Sequence, residues 1–518
     1  MKKMVACIAI VTLFMLTTSQ VFAAKTITPQ GKLKPPGEVF TPGEWFLGSV
    51  PPNLDTSKPP LVFVQGKNGS STSWYEETEY HGVNDMYTKA YESGYQTVFL
   101  QLHDAAGEGS ASQFDNGELL ASMLADISAH FQGRKLNIVA HSKGGPDTQA
   151  ALIHYGAHAY VGRVITLGSP HHGSHLADLA YSWWAGWLGT LLGQKDDGTF
   201  SLQVGEMAHF RSITDHHSNA TKNKYYTVSG TNKGPSMSAL WMGGQYLSSE
   251  GENDGLVNDW STRLPYGTHL FNDTSLDHDK IRMGSAVFSR IEPYLRTSSV
   301  AGLKTDDVKS SDTFMSEDIS SYTHGGEWQG NAPYKQSFHV DEQLKNIQIW
   351  TSTKDVKVRL ISPTGKEYQS YASSPKSAEI FNGAAAHSFT GIISETGRWQ
   401  VQLTSNKKDN AYVMNVTHEG KNNLELKMNP LFSKDPVAFS LQSNNNIQSI
   451  TMNTKLVDKN GNTVVAPLDV QNTSRNGSIG QFNAKLSSGV YNMTIDIKGK
   501  TLQGAPYERT VIRSFYVQ

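Results

Sequence analysis

Cysteine is almost missing: Cys7 is the only one in 518 residues. It falls inside a stretch that reads as a signal peptide and lacks the flanking pattern of a lipoprotein anchor. Lys2 and Lys3 supply a charged start, Val5 to Leu16 an apolar run, and Val21-Phe22-Ala23 the small residues that signal peptidase needs. Cleavage is therefore expected after Ala23, and the mature chain is expected to be secreted. Without that segment there is no disulfide and no thiol chemistry, so stability must come from core size. Long hydrophobic runs are also lacking. Val5–Leu16 is too short to span a bilayer well, and no later stretch approaches spanning length, so no integral membrane segment is expected. A dominant charge is lacking too. Removing Lys2 and Lys3 from the 45 basic residues leaves 43 against 47 acidic ones, a net of about −4. Nothing in that balance suggests a nucleic-acid partner. Apolar residues make up only 38% of the chain. Asn, Ser, Thr and Gly fill the difference, which favours β-rich, well-solvated domains. Roughly 495 mature residues suffice for two to four of them.

What is present changes character along the chain. From residue 24 to about 297, strand-like and helix-like segments alternate. Leu61–Gln65, Gln96–Leu102, Leu136–Val139, Val161–Leu167 and Tyr225–Ser229 read as strands. Asp115–Phe131 reads as an amphipathic helix, with Leu120, Leu124, Ile127 and Phe131 on one face and Asp115 with Glu118 as a capping box. This alternation predicts an α/β domain with a mostly parallel, doubly wound sheet. Residues 298–334 are rich in Ser, Thr, Asp and Gly without periodicity, and read as a linker. Short alternating strands and turns such as Asn460-Gly461 then predict two all-β sandwiches, at 335–420 and 421–518.

One segment carries most of the chemistry. Leu136 to Pro146 reads LNIVAHSKGGP: a strand that stops at Ala140-His141-Ser142-Lys143-Gly144, followed by a helix-compatible stretch. This is the layout of a nucleophile elbow, with Ala at the first small position. Ser142 must sit on a turn sharp enough to lift its Oγ over the sheet edge, and the flanking residues must be small because strand and helix pack closely there. A serine nucleophile needs a base, an acid to orient that base, and donors for the oxyanion. The acid is expected at Asp254, on the Asp-Gly turn of Asn253-Asp254-Gly255-Leu256-Val257, with Glu252 as fallback. The base is expected at His278, in a loop before the last helix, with His269 as competitor among 18 histidines. The oxyanion donors are expected to be the backbone N–H groups of Lys67, after the strand ending in Gln65-Gly66, and Lys143. Two lysines on this wall are unusual. Either their stems pack while the ammonium groups reach water, or they add positive potential beside the oxyanion or an acidic product. His171, His172, His175 and Asp178 follow no metal-ligand spacing, so no metal and no cofactor is expected.

Taken together, VFVQG (62–66), AHSKG (140–144), TLGSPHHGS (166–174), NDGLV (253–257) and His278 resemble the secreted bacterial lipases of the α/β-hydrolase superfamily. The resemblance is closest to the group from bacilli whose lipase box begins with Ala, and it spans the first domain. It implies Ser142 as nucleophile, Asp254 as acid and His278 as base. It departs at Gln65, where the family usually has His, and at Lys143, where it often has Met or Gln. The Asp that in some such lipases helps bind Ca²⁺ beside the catalytic His is Lys280 here, so calcium is not carried over. An apolar insertion follows, LADLAYSWWAGWLGTLLG at 176–193. Trp183, Trp184, Trp187 and Leu188 there are expected to form a lid facing a lipid surface, the alternative being buried core. The expected function is hydrolysis of water-insoluble carboxylic esters such as triacylglycerols. A polyhydroxyalkanoate depolymerase is the runner-up, and a non-catalytic adhesin or binding protein the reading from a different class. The sandwiches are expected to bind surfaces.

Overall fold

In the central strands, alternate side chains face opposite sides of one sheet, and both sides are covered. The strands are β1 (Lys25–Ile27), β2 (Trp45–Gly48), β3 (Leu61–Val64), β4 (Thr97–Leu100), β5 (Leu136–His141), β6 (Val161–Leu167), β7 (Lys224–Gly230) and β8 (Thr268–Asp273). They lie in the order β1-β2-β4-β3-β5-β6-β7-β8, with only the β2–β4 pair antiparallel. Val62, Val64, Val98, Ile138 and Val164 pack on one side beneath α2 (Gln113–His130) and α3 (Gly144–Ile153). Phe63, Phe99, Val139, Ile165 and Val228 pack on the other, against α1 (Met86–Glu92) and the last helix, Gly284–Leu295. Strands buried on both faces read as continuous apolar runs, which is why the inner ones are visible in the sequence. β2 is too short to show a period. β8 is an edge strand with mixed exposure. This computed structural model describes residues 25–27, 40–183, 195–301 and 315–518, the last range apart from 331, 374–383, 390–391, 393–394, 434–435, 445, 475–476 and 483–484.

Helix α2 starts earlier than its periodicity suggests. Ser112 is its cap: the Ser112 Oγ accepts from Asp115 N–H, and the Asp115 carboxylate accepts from Ser112 N–H. Asp115 is thus the third helical residue of the capping box rather than its first member.

The segment expected as a linker contributes strands to both sandwiches. It holds β9 (Met315–Ile319) and β10 (Ser321–Gln329). β10 reads SYTHGGEWQ, too polar and glycine-rich to announce a strand. Its conformation comes from pairing residue for residue with Asp409–His418, from Ser321 opposite Thr417 to Gln329 opposite Asp409. The first sandwich therefore begins at Ser321, and packs Phe338, Trp399 and Tyr412 between a five-stranded and a four-stranded sheet. The second borrows its edge strand, β9, from ahead of the first: β9 pairs with Leu424–Met428. Arg509, fully buried, joins the sandwiches by reaching Asp341 at 2.8 Å and Glu342 at 3.0 Å.

The tail is also docked on the hydrolase half. Asp178, at 0% exposure on α4 (His175–Ala180), accepts from Ser514 Oγ at 2.5 Å. The same hydroxyl accepts from Gly205 N–H, at the start of α5 (Val204–Thr214). Arg513 pairs with Glu250 at 2.5 Å, and Tyr516 stacks on His209 at 4.0 Å. Trp350 of the first sandwich is buried against α6 (Ala239–Tyr246), its Nε1 3.1 Å from Met242 Sδ.

Candidate active site

Ser142 follows β5 directly with φ +52°, in the left-handed region that a serine adopts only when its surroundings force it. The turn carries the chain straight into α3. The loop after β3 presses on it so closely that a Cβ at Gly66 would lie 2.8 Å from Ser142 Cβ. Glycine is therefore required at 66.

Ser142 Oγ is 2.9 Å from His278 Nε2, and His278 Nδ1 is 2.8 Å from Asp254 Oδ2. A carboxylate only accepts, so the imidazole proton sits on Nδ1 and Nε2 is left to accept from the serine hydroxyl. Exposure is 6% for Ser142, 1% for Asp254 and 2% for His278. Main-chain donors hold Asp254: Leu256 N–H and Val257 N–H both reach Oδ1. The backbone of His278 is fixed on both sides, its N–H donating to Asp254 O at 2.8 Å and its C=O accepting from His141 Nε2 at 2.8 Å. Burial, then the nearby His278 and Arg282, hold His141 well below the usual imidazole range, so it is a neutral donor here. The two fallback residues lie elsewhere. Glu252 is exposed, and His269 on β8 faces Thr227 Oγ1 at 3.0 Å.

Sequence reasoning passed over two participants. His141 lay inside the motif but was not singled out, because a histidine before the serine gives no sign of where its ring points. Gly168 follows β6 at φ +58°, and a Cβ there would come within 2.9 Å of Asp254 Oδ2. The Leu167-Gly168-Ser169-Pro170 turn gave the only hint.

Neither expectation for the two lysines holds. Lys143 is 0% exposed rather than reaching water. Its Nζ lies 2.8 Å from Asp147 Oδ1 and 3.7 Å from Asp104 Oδ2, so its charge is neutralised locally. Burial pushes the Lys143 ammonium down, but Asp147 and Asp104 more than offset this and leave it above its usual value. Two carboxylates face one ammonium. Burial accordingly lifts Asp147 to about 7, opposed by Lys143 and reinforced by Asp104. Lys67 pairs with Asp196 at 3.0 Å, on the far side of the insertion. A lysine stem can be buried when carboxylates meet it, and sequence cannot foretell that meeting.

The histidine group after β6 diverges. His171 bonds Gln149 and Thr166, His172 the carbonyl of Arg263, and His175 the Asp178 carboxylate. Among the described residues no cluster could hold a metal ion. No described helix is long and apolar enough to cross a membrane. Of the expected lid residues, Trp184, Trp187 and Leu188 lie outside the described residues. Trp183 is 39% exposed, with Lys455 Nζ 3.1 Å from its ring centre. The start of the insertion, Leu176 to Tyr181, is core shared with Trp350, Val413 and Ile512 of the tail.

A mostly parallel sheet with a strained serine after its central strand defines the α/β-hydrolase fold, and a solved structure agrees. A Bacillus licheniformis lipase, BlEst2, in propeptide form is 35% identical, with a TM-score of 0.72 over 92% of this chain and 98% of that one. The same lipase in mature form is 48% identical over 50% of this chain and 100% of its own, with a TM-score of 0.46. The chain belongs to the family of this lipase, and it is a lipase/esterase-like hydrolase. The Hemicentin galactose-binding domain-like family model matches residues 327–421, within the first sandwich and the turn that follows it. No curated protein matches the chain.

Proposed function

We propose that the chain is a secreted serine hydrolase of water-insoluble carboxylic esters, triacylglycerols being the reference substrate. The continuous Ser142–His278–Asp254 hydrogen-bonded line carries this reading. Ser142 Oγ attacks the ester carbonyl while His278 Nε2 takes its proton, and Asp254 steadies the imidazolium. The tetrahedral oxyanion is received by the backbone N–H groups of Lys67 and Lys143. Collapse expels the alcohol, protonated by His278, and leaves an acyl-enzyme. Water, deprotonated by His278, then releases the acid and restores Ser142.

The tail favours a second element of this reading. The relative that spans it is described as a propeptide form. Here the tail covers α4 and α6 with apolar and buried polar contacts, which suits a pro-segment better than a freely tethered surface-binding module. A substrate panel on the full chain, before and after limited proteolysis, tests both points. Fatty acid released from emulsified triglyceride supports the lipase. Clearing of polyester granules alone makes it a depolymerase, and no hydrolysis of any ester leaves a binding protein.

A further inference from the structure

The ammonium of Lys143 is buried immediately behind the serine, where nothing in ester chemistry calls for a lysine. Its partners explain what it connects. Asp147 lies one turn along α3. Asp104 begins the turn after β4, and its Oδ2 has no hydrogen-bond partner among the described residues, so it faces the ammonium alone. Asn116 on α2 spans the two carboxylates, donating to Asp104 Oδ1 at 3.1 Å and to Asp147 Oδ2 at 2.9 Å. The Asn116 Oδ1 accepts from His103 N–H, which fixes the start of the same turn.

That turn backs the loop carrying the other oxyanion donor. Ala106, in the left-handed region at φ +57°, donates its N–H to Gly69 O at 2.8 Å. Gly69 N–H in turn donates to Gly66 O at 3.0 Å, which closes the loop around Lys67 and Asn68. Gln101, just before the turn, exchanges hydrogen bonds with Ser71 beyond it. A continuous path therefore runs from the Lys143 side chain through Asp104 and the 104–107 turn to the Gly66–Gly69 loop. The two ends of the path are the two backbone N–H groups that the proposed mechanism aims at one oxygen.

We propose that the buried Lys143–Asp104–Asp147–Asn116 cluster is a positioning device that sets the separation of the two oxyanion donors, the N–H groups of Lys67 and Lys143. It rests on the serine-hydrolase reading. The Lys143 side chain touches no reacting atom and acts through its own main chain at one end and the 66–69 loop at the other. A donor displaced by a fraction of an ångström loses most of its value to the transition state while ground-state binding hardly changes.

The test uses the full chain and the variant Asp104→Asn, which keeps the shape and removes one of the two carboxylate charges facing Lys143, the one on the 104–107 turn. Lys143→Met, the more disruptive change, accompanies it. Three quantities are read: kcat and KM for p-nitrophenyl acetate, the inhibition constant of phenylboronic acid (which forms a tetrahedral adduct with a reactive serine), and the melting temperature. Asp104→Asn is expected to lower kcat about tenfold and weaken boronate binding by a similar factor, with KM within about twofold. A lower melting temperature with kcat and boronate affinity unchanged would show the cluster to be structural and overturn the assignment. If Lys143→Met fails to fold, Asp104→Asn still decides. A wild type that neither hydrolyses the ester nor binds the boronate, before or after limited proteolysis has released the tail, overturns the serine-hydrolase reading itself, and this inference falls with it.

Discussion

The hydrolase half and the β-tail are held together by different means. Around Ser142 the decisive contacts are main-chain ones: Leu256 and Val257 N–H on Asp254, Asp254 O on His278 N–H, and a positive φ at the serine. In the tail they are long side chains that meet between the two sandwiches, such as Arg509 with Asp341 and Glu342. Turn geometry is local and survives substitution of most neighbours. A buried ion pair depends on both partners, and removing one strands the other. The first half should therefore fail at its chemistry when altered, and the second at its stability.

The largest effect is expected at the triad. Ser142→Ala or His278→Ala should cut kcat on a soluble ester roughly 10⁴-fold or more while leaving the melting curve nearly unchanged. Near-wild-type activity in Asp254→Asn would show that this carboxylate is not the acid. Next comes Arg509→Met. Breaking the buried cluster should cost about 3–5 kcal/mol in denaturant unfolding of the tail, with hydrolysis of soluble ester retained. An unchanged unfolding curve would mean that the sandwiches join without this contact. Ser514→Ala should be milder, about 1–3 kcal/mol, because the Asp178 carboxylate and Gly205 N–H each lose a buried partner. Its signature is earlier proteolytic release of the tail, and identical cleavage rates would count against the docking described above.

The smallest effect is one of pH. Burial holds Glu206 on α5 up at about 7 against an ordinary 4.5, with Lys459 of the tail opposing. An acid raised in the folded state favours that state most when protonated. Its contribution is fully present below about pH 4.5 and is lost as pH rises to about 7. Glu206→Gln should flatten that decline, by about 1–3 °C in melting temperature. Parallel pH profiles for the two proteins would exclude Glu206 as its source.

Much of the first half was legible because its signals are local. Ala140 to Gly144 end a run that is apolar and buried on both faces, and Asp254-Gly255 and His278 stand on later loops marked by turn chemistry and by the chain order of the three. β10 was not legible, since a strand of Ser, Thr, Gly and Glu acquires its conformation only from Asp409–His418, some 80 residues on. The same holds for the tail's docking: nothing near Ser514 or Asn492 announces Asp178 as their partner.

The sequence by itself determined the α/β order of the first domain, the β-rich character of the rest, and the three residues that line up at the elbow, because each depends on periodicity or on turn chemistry within a few residues. Only the tertiary structure decided where β9 and β10 belong, that Lys143 is buried between two carboxylates, and that the tail lies against α4 and α6. Those outcomes rest on contacts between groups far apart in the chain, and such contacts exist only once the sheets have brought them together.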